Sequence, residues 1–240
     1  GIGGDGIVLM EKSEVADAKM RIFNRDGSEG GMAGNSIRCV AKYLYDNGFV
    51  KSNDVRIETL SGVKEMKLFT FNGKVSSVSV NMGKAVLDGK AIPSTLEGDS
   101  VVAREIEVGG QNYSVTLVNV GNPHCVIFCD KVDAVDIANV GPLFENAPYF
   151  PQRINTEFVR VVNDRTLKMR VWERGNGETL ACGTGAAASV VAAVLGGYCR
   201  KDEDITVKVR GGDLIVRYDS DGTVTLTGNA KLVYEGTIEF

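Results

Sequence analysis

The chain has 240 residues, with 27 basic and 31 acidic side chains and 43% apolar residues, a composition that suits one large globular domain or two modest ones of about 150 residues. No run reaches the ~18 apolar residues of a membrane span, and a net charge of −4 without a Lys/Arg cluster excludes nucleic acid as the main partner. Five widely spaced cysteines and a single histidine argue against a disulfide framework or a His-rich zinc site, and leave reduced thiols in a cytoplasm, one of them free to do chemistry.

In chain order, GIGGDG at 1–6 satisfies G-x-G-x-x-G. No strand precedes it and a strand-like run follows, so it reads as a glycine turn feeding a strand rather than a dinucleotide site. Strand patterns occupy 6–10 and 19–23. The stretch 36–47 (SIRCVAKYLYDN) sets Ile37, Val40, Ala41 and Leu44 at helical spacing, and Gly48 stops it. Further strands are expected at 75–81, 113–120, 126–129, 156–162 and 166–172. Cys125 and Cys129 are separated by three residues, unlike a C-x-x-C metal pair, and read as core. The almost wholly apolar 185–195 (GAAASVVAAVL) predicts a helix buried on all sides. Strands at 205–209, 213–218 and 223–227 come last.

One self-similarity organises these elements. KMRIFNR at 19–25 matches KMRVWER at 168–174, an offset of 149 (168 less 19) that also pairs Glu29 with Glu178, Gly34 with Gly183 and the first helix with the second. The chain therefore reads as two homologous halves, 1–114 and 115–240. The counterpart of NVGNPHC at 119–125 falls before residue 1, so the first half is expected to lack roughly 30 to 40 residues of the repeat.

Chemistry concentrates in ERGNGETLACGTGA at 173–186. Cys182 stands between a glycine-rich loop and a helix start, where unpaired N–H groups and the positive helix end lower a thiol pKa below ~8.5 and can hold a carboxylate. Thiolate and carboxylate cradle together are what removing an amino acid's α-proton requires; a small buried cysteine at a helix start is the plainer reading. At the offset of 149 the counterpart of Cys182 is Ala33, and Cys39 lies six residues further on, too far along the helix to substitute. His124 reads as a base, an orienting group or a core imidazole; beside a two-fold thiol site it reads as a partner that accepts a thiol proton, with Glu173 the matching candidate in the other half. Asn24, Asn122 and Asn155 suit amino and carboxylate groups, and Arg174 a carboxylate; each equally suits a turn.

Together GIGGDG, MRIFNRDGSEGGMAGNSIRCVAKY, NVGNPHCV, RINTEFV and VWERGNGETLACGTGA resemble diaminopimelate epimerase across essentially the whole chain. The resemblance implies an α/β (α+β) fold of two pseudo-symmetric halves, each a β-barrel-like sheet around a central helix, with the active site in the cleft between them. It implies cofactor-independent epimerisation of LL-diaminopimelate to the meso form used for lysine and peptidoglycan, with a small amino acid as partner, no metal, and a homodimer. Two cysteines would face opposite sides of the α-carbon: Cys182 matches one, and Ala33 stands at the other. By the same resemblance Asn24, Gly34, Asn35, Asn122, Asn155, Glu173, Arg174, Gly183 and Thr184 match substrate-contacting positions, and His124 and Glu173 match the groups that tune the two thiols. A methyl group cannot donate a proton, and losing a general acid costs ~10²–10⁴-fold, so impaired turnover is expected. The rival readings are an amino-acid-binding homologue without turnover and a proline or hydroxyproline racemase.

Overall fold

The computed structural model describes residues 6–24, 27–30, 34–89 and 91–237. Packing groups them into two units, Gly1–Val80 with Thr227–Phe240, and Asn81–Leu226. The halves expected from the repeat meet at residue 114, whereas grouping by contact places 81–114 with the second unit.

The first unit holds β1 (Gly6–Glu11), β2 (Ala18–Asn24), β3 (Glu29–Gly30), α1 (Gly34–Asp46), β4 (Asp54–Thr59), β5 (Gly62–Phe71) and most of β6 (Lys74–Lys84). Its strand order is β1–β2–β4–β5–β6, with β3 beside β2. β2 is antiparallel to β1, with Ile7 opposite Phe23, and parallel to β4, with Ala18 opposite Ile57. Helix α1 packs on β4 and β5 and buries Ile37, Val40, Ala41 and Leu44, the positions its sequence spacing predicts, while Cys39 and Tyr43 stay exposed.

The second unit holds β7 (Arg104–Val108), β8 (Gln111–Asn119), β9 (Pro123–Phe128), α2 (Ile137–Glu145), β10 (Asn155–Asn163), β11 (Thr166–Glu173), β12 (Gly177–Thr179), α3 (Gly183–Leu195), β13 (Asp204–Val209), β14 (Gly212–Tyr218) and the start of β15 (Thr223–Asn229). Here the offset of 149 recurs in the hydrogen-bond register. Thr156 faces Trp172 as Ile7 faces Phe23, Val171 faces Thr179 as Ile22 faces Gly30, and α1 and α3 share both bounds at that offset. One extra residue after α3 shifts the offset to 150, so Asp54 opposite Lys67 recurs as Asp204 opposite Arg217. The tight β4–β5 and β13–β14 turns each use a glycine at positive φ, Gly62 (94°) and Gly212 (136°), a conformation closed to most side chains. An ion pair repeats as well: Arg21 Nε to Glu29 Oε1 at 2.8 Å and Arg170 Nε to Glu178 Oε1 at 2.9 Å.

The second unit also carries β7, β8, β9 and α2 beyond the shared frame. Ile106, Leu117, Ile127, Phe144, Phe150 and Phe158 form an apolar core with Trp172 at its edge. Cys125 and Ile127 of β9 point into it, so the alternation of the strand sends His124 and Val126 to the opposite face. There α3 packs on β8, β9, β10, β11, β13 and β14 and is buried on every side from Gly185 to Ala193, as its composition predicts.

Helix α2 and strands β4, β5 and β7 are absent from the sequence-level expectations. In α2, Pro142 and Gly141 interrupt the helical pattern; Gly141 is required because a Cβ there would stand 2.4 Å from the Trp172 ring. In β5, Phe69 and Phe71 are exposed beside the buried Leu68, which blurs the period-2 signal. No helix among the described residues is long and apolar enough to cross a membrane.

Candidate active site

The chemistry-bearing residues of the second unit gather where the ends of β9, β10 and β11 meet the first turn of α3. Cys182 is the N-cap of α3, in extended conformation (φ −128°, ψ 114°), and its Sγ accepts from the Gly185 N–H at 3.3 Å. Thr184 Oγ1 lies 3.5 Å from the same sulfur, and the thiol is 7% exposed. The sequence places this thiol at a positive helix end and predicts a lowered pKa. The structure reverses the sign: burial, then the charges of Glu173 and Glu157, push Cys182 up to about 12, against weaker lowering by Thr184 and Gly185. Desolvation and two nearby carboxylates outweigh one N–H and a helix end. At rest this sulfur is a thiol, the proton-donating form.

Glu173 ends β11, and its Oε1 accepts from Thr179 Oγ1 at 2.5 Å. Gly183 and Thr184 open α3. Asn155, at the start of β10, gives its amide N–H to Pro123 O (2.8 Å) and accepts the Arg174 N–H on Oδ1 (3.0 Å). It therefore ties the entry of β9 to the residue after Glu173. The Arg174 guanidinium reaches Gln152 O at 3.0 Å. His124 is completely buried: Nδ1 lies 2.7 Å from Glu157 Oε1 and Nε2 lies 2.9 Å from Asn122 Oδ1.

Three of the expected residues lie in the first unit. Asn24 holds a turn, its Nδ2 donating to Ser28 Oγ at 3.0 Å. Gly34 O and Asn35 Oδ1 at the start of α1 accept from Arg38 Nη1 and Nη2 at 3.0 and 2.9 Å. Ala33 lies outside the described residues. Cys125 is buried as expected, whereas Cys129 is only half-buried.

Besides Arg170 of the repeated ion pair, three buried charged residues escaped the sequence reading. Glu157 is one; its signal was the spacing in RINTEFV, since residues 155 and 157 leave the same face of a strand. Glu145 closes α2 and receives three donors, Arg153 Nη1 (3.0 Å) and Gly175 N (2.9 Å) on Oε1 and Trp172 Nε1 (2.7 Å) on Oε2. It clamps the turn that follows Glu173 and Arg174, and an acid inside an unrecognised helix left no trace in sequence. Arg38 is buried beneath the start of α1, where burial lowers its pKa from the ordinary guanidinium value. It occupies the one helical position among buried apolar neighbours that pattern reading assigns to solvent.

Among known proteins, the family model described as diaminopimelate epimerase matches residues 1–87 and 116–233. The diaminopimelate epimerase of Desulfitobacterium hafniense is 46% identical over 238 residues, covering 99% of this chain and 83% of that protein. That of Acetivibrio thermocellus is 48% identical over 240 residues, covering 100% and 85%. Of solved structures, a probable proline racemase from Agrobacterium radiobacter superposes with a TM-score of 0.69 at 15% identity, covering 96% of this chain and 76% of that one. A hydroxyproline epimerase from Agrobacterium vitis gives 0.68 at 16%, covering 93% and 71%. At those identities they show a shared fold.

Proposed function

The chain belongs to the diaminopimelate epimerase family, and from the thiol at the start of α3 we propose that it binds diaminopimelate there and moves the proton of its α-carbon through Cys182. The observation that carries this reading is Cys182 itself: a buried thiol, protonated at rest, capping a helix whose first N–H groups suit a carboxylate. Around it, Asn155 and Arg174 offer polar groups for the ends of an amino acid, and Glu173 bears on the sulfur.

Inversion needs a base on one face of the α-carbon and an acid on the other. Cys182 supplies one face with a side-chain thiol, so the reading calls for no cofactor. Ala33 stands at the counterpart position in the repeat and has no proton to give. Turnover to the meso form is therefore slowed, while exchange at the Cys182 face survives: the thiol passes its proton to Glu173, and the thiolate so formed takes the α-proton and returns one from solvent.

Incubation with LL-diaminopimelate in deuterated water, followed by NMR, tests both parts. The expected result is α-proton exchange without comparable inversion. Inversion as fast as exchange overturns the assignment of an impaired site; binding detected by calorimetry with neither exchange nor inversion overturns catalysis and leaves a binding protein.

A further inference from the structure

Glu157 is fully buried, and one of its oxygens, Oε1, contacts His124 Nδ1 at 2.7 Å. The other, Oε2, is also buried and finds no hydrogen-bond partner among the described residues. A carboxylate left half-satisfied inside a protein is costly. The surrounding sequence nevertheless makes room for it. Helix α3 carries glycine at 185, where a Cβ would stand 2.6 Å from Glu157 Oε1, and glycine in a helix costs about 1 kcal/mol relative to alanine. Both sacrifices preserve the contact to the imidazole. A site selected for stability alone is served as well by an apolar pair of similar volume.

We propose that Glu157 is a positioning residue that holds His124 with a proton on Nδ1, so that Nε2, at the Asn122 end of the ring, is the nitrogen that takes up and returns protons. This rests on the epimerase reading of the site. In the empty state Nδ1–H donates to Glu157, and Nε2 receives an N–H from the Asn122 amide in its rotated setting. In the loaded state Nε2 has gained one proton, taken from solvent in this chain or, leaving a thiolate, from the thiol that Ala33→Cys would supply, and donates to Asn122 Oδ1, the atom now 2.9 Å away. Glu157 Oε1 faces Nδ1 in both and stabilises the imidazolium, as an acid behind a catalytic imidazole does. The carboxylate thereby also fixes the ring plane, since both nitrogens are anchored.

The chain has one histidine, so protein labelled with ring-¹⁵N histidine reports on His124 alone, without substrate. The expected spectrum shows a proton on Nδ1, shifted downfield by the carboxylate. In Glu157→Gln, checked for folding by its melting curve, that resonance moves upfield and part of the proton population passes to Nε2. A wild-type spectrum with the proton on Nε2 only, or a folded Glu157→Gln spectrum identical to wild type, overturns the proposal; should the variant not fold, the wild-type spectrum decides by itself. Nδ1–H in a chain that exchanges no α-proton of diaminopimelate marks failure of the functional reading alone. Exchange with the ring proton on Nε2 only marks failure of the positioning role alone.

Discussion

The two helix starts of this chain share a backbone and differ in almost everything that bears on chemistry. Both follow a strand with the same antiparallel and parallel neighbours, both begin after a short strand held by an Arg–Glu pair, and α1 and α3 have equal length. At α3 the N-cap is Cys182, Gly185 lies against Glu157, and the helix is enclosed. At the offset of 149 the corresponding residues are Ala33, Ser36 and Val8, and α1 keeps one face in solvent. A repeated frame is set by register and turn geometry, which many sequences satisfy; a reactive site also needs the strands flanking the helix to carry matched polar groups, and β9 and β10 do so only around α3.

The largest expected effects come from exchanging the thiols. Ala33→Cys should raise inversion of diaminopimelate by ~10²–10⁴-fold, read by the appearance of the meso isomer. A folded variant as slow as the parent removes Ala33 as the cause. Cys182→Ala should abolish α-proton exchange in the parent chain; persistence of exchange would assign the base elsewhere.

The repeated ion pair offers a sharper contrast in stability. Arg170 is buried and also holds the carbonyls of Val132, Asp133 and Val135, so Arg170→Met should cost about 3 kcal/mol in denaturant melts. Arg21→Met, in an exposed pair, should cost far less. Equal losses would mean that the frame, rather than burial, sets the worth of the pair.

A gentler test compares the two helices directly. Gly185→Ala forces a methyl group against a carboxylate held in place by His124 and should destabilise by about 1–3 kcal/mol. Ser36→Ala at the corresponding position should change stability by no more than about 0.5 kcal/mol. A stabilised Gly185→Ala would show that Glu157 yields, contrary to its role in fixing the imidazole.

The smallest effect is on pH. The folded Cys182 thiol keeps its proton to about pH 12, whereas its ordinary value is 9.0. Above pH 9 the unfolded chain therefore loses a proton that the folded chain retains, and stability falls as pH rises, by about 1 kcal/mol at pH 10. Cys182→Ala should flatten that slope; an unchanged slope would place the thiol in a wetter site.

Much of the site was legible because its residues sit in short motifs. Cys182 is marked by glycines before an apolar helix, and Asn155 and Glu173 stand at strand ends. What pattern reading missed had a common cause. Glu157, Glu145 and Arg38 are charges in the interior, and hydrophobic periodicity assigns charges to solvent. Helix α2 escaped because Gly141 and Pro142 answer to Trp172 and to chain geometry rather than to helix propensity.

The sequence by itself determined the repeated frame, the enclosed helix α3, the family and the thiol at its start, since each depends on local pattern or on the match of residues along the chain. Only the tertiary structure decided the protonation of that thiol and the partner of the single histidine. Both depend on which charges burial brings near, and Glu157 reaches Cys182 and His124 from positions 25 and 33 residues away in the chain. Separation of that kind leaves no periodic trace, and desolvation, the strongest of the influences on the sulfur, exists only once the strands have closed around it.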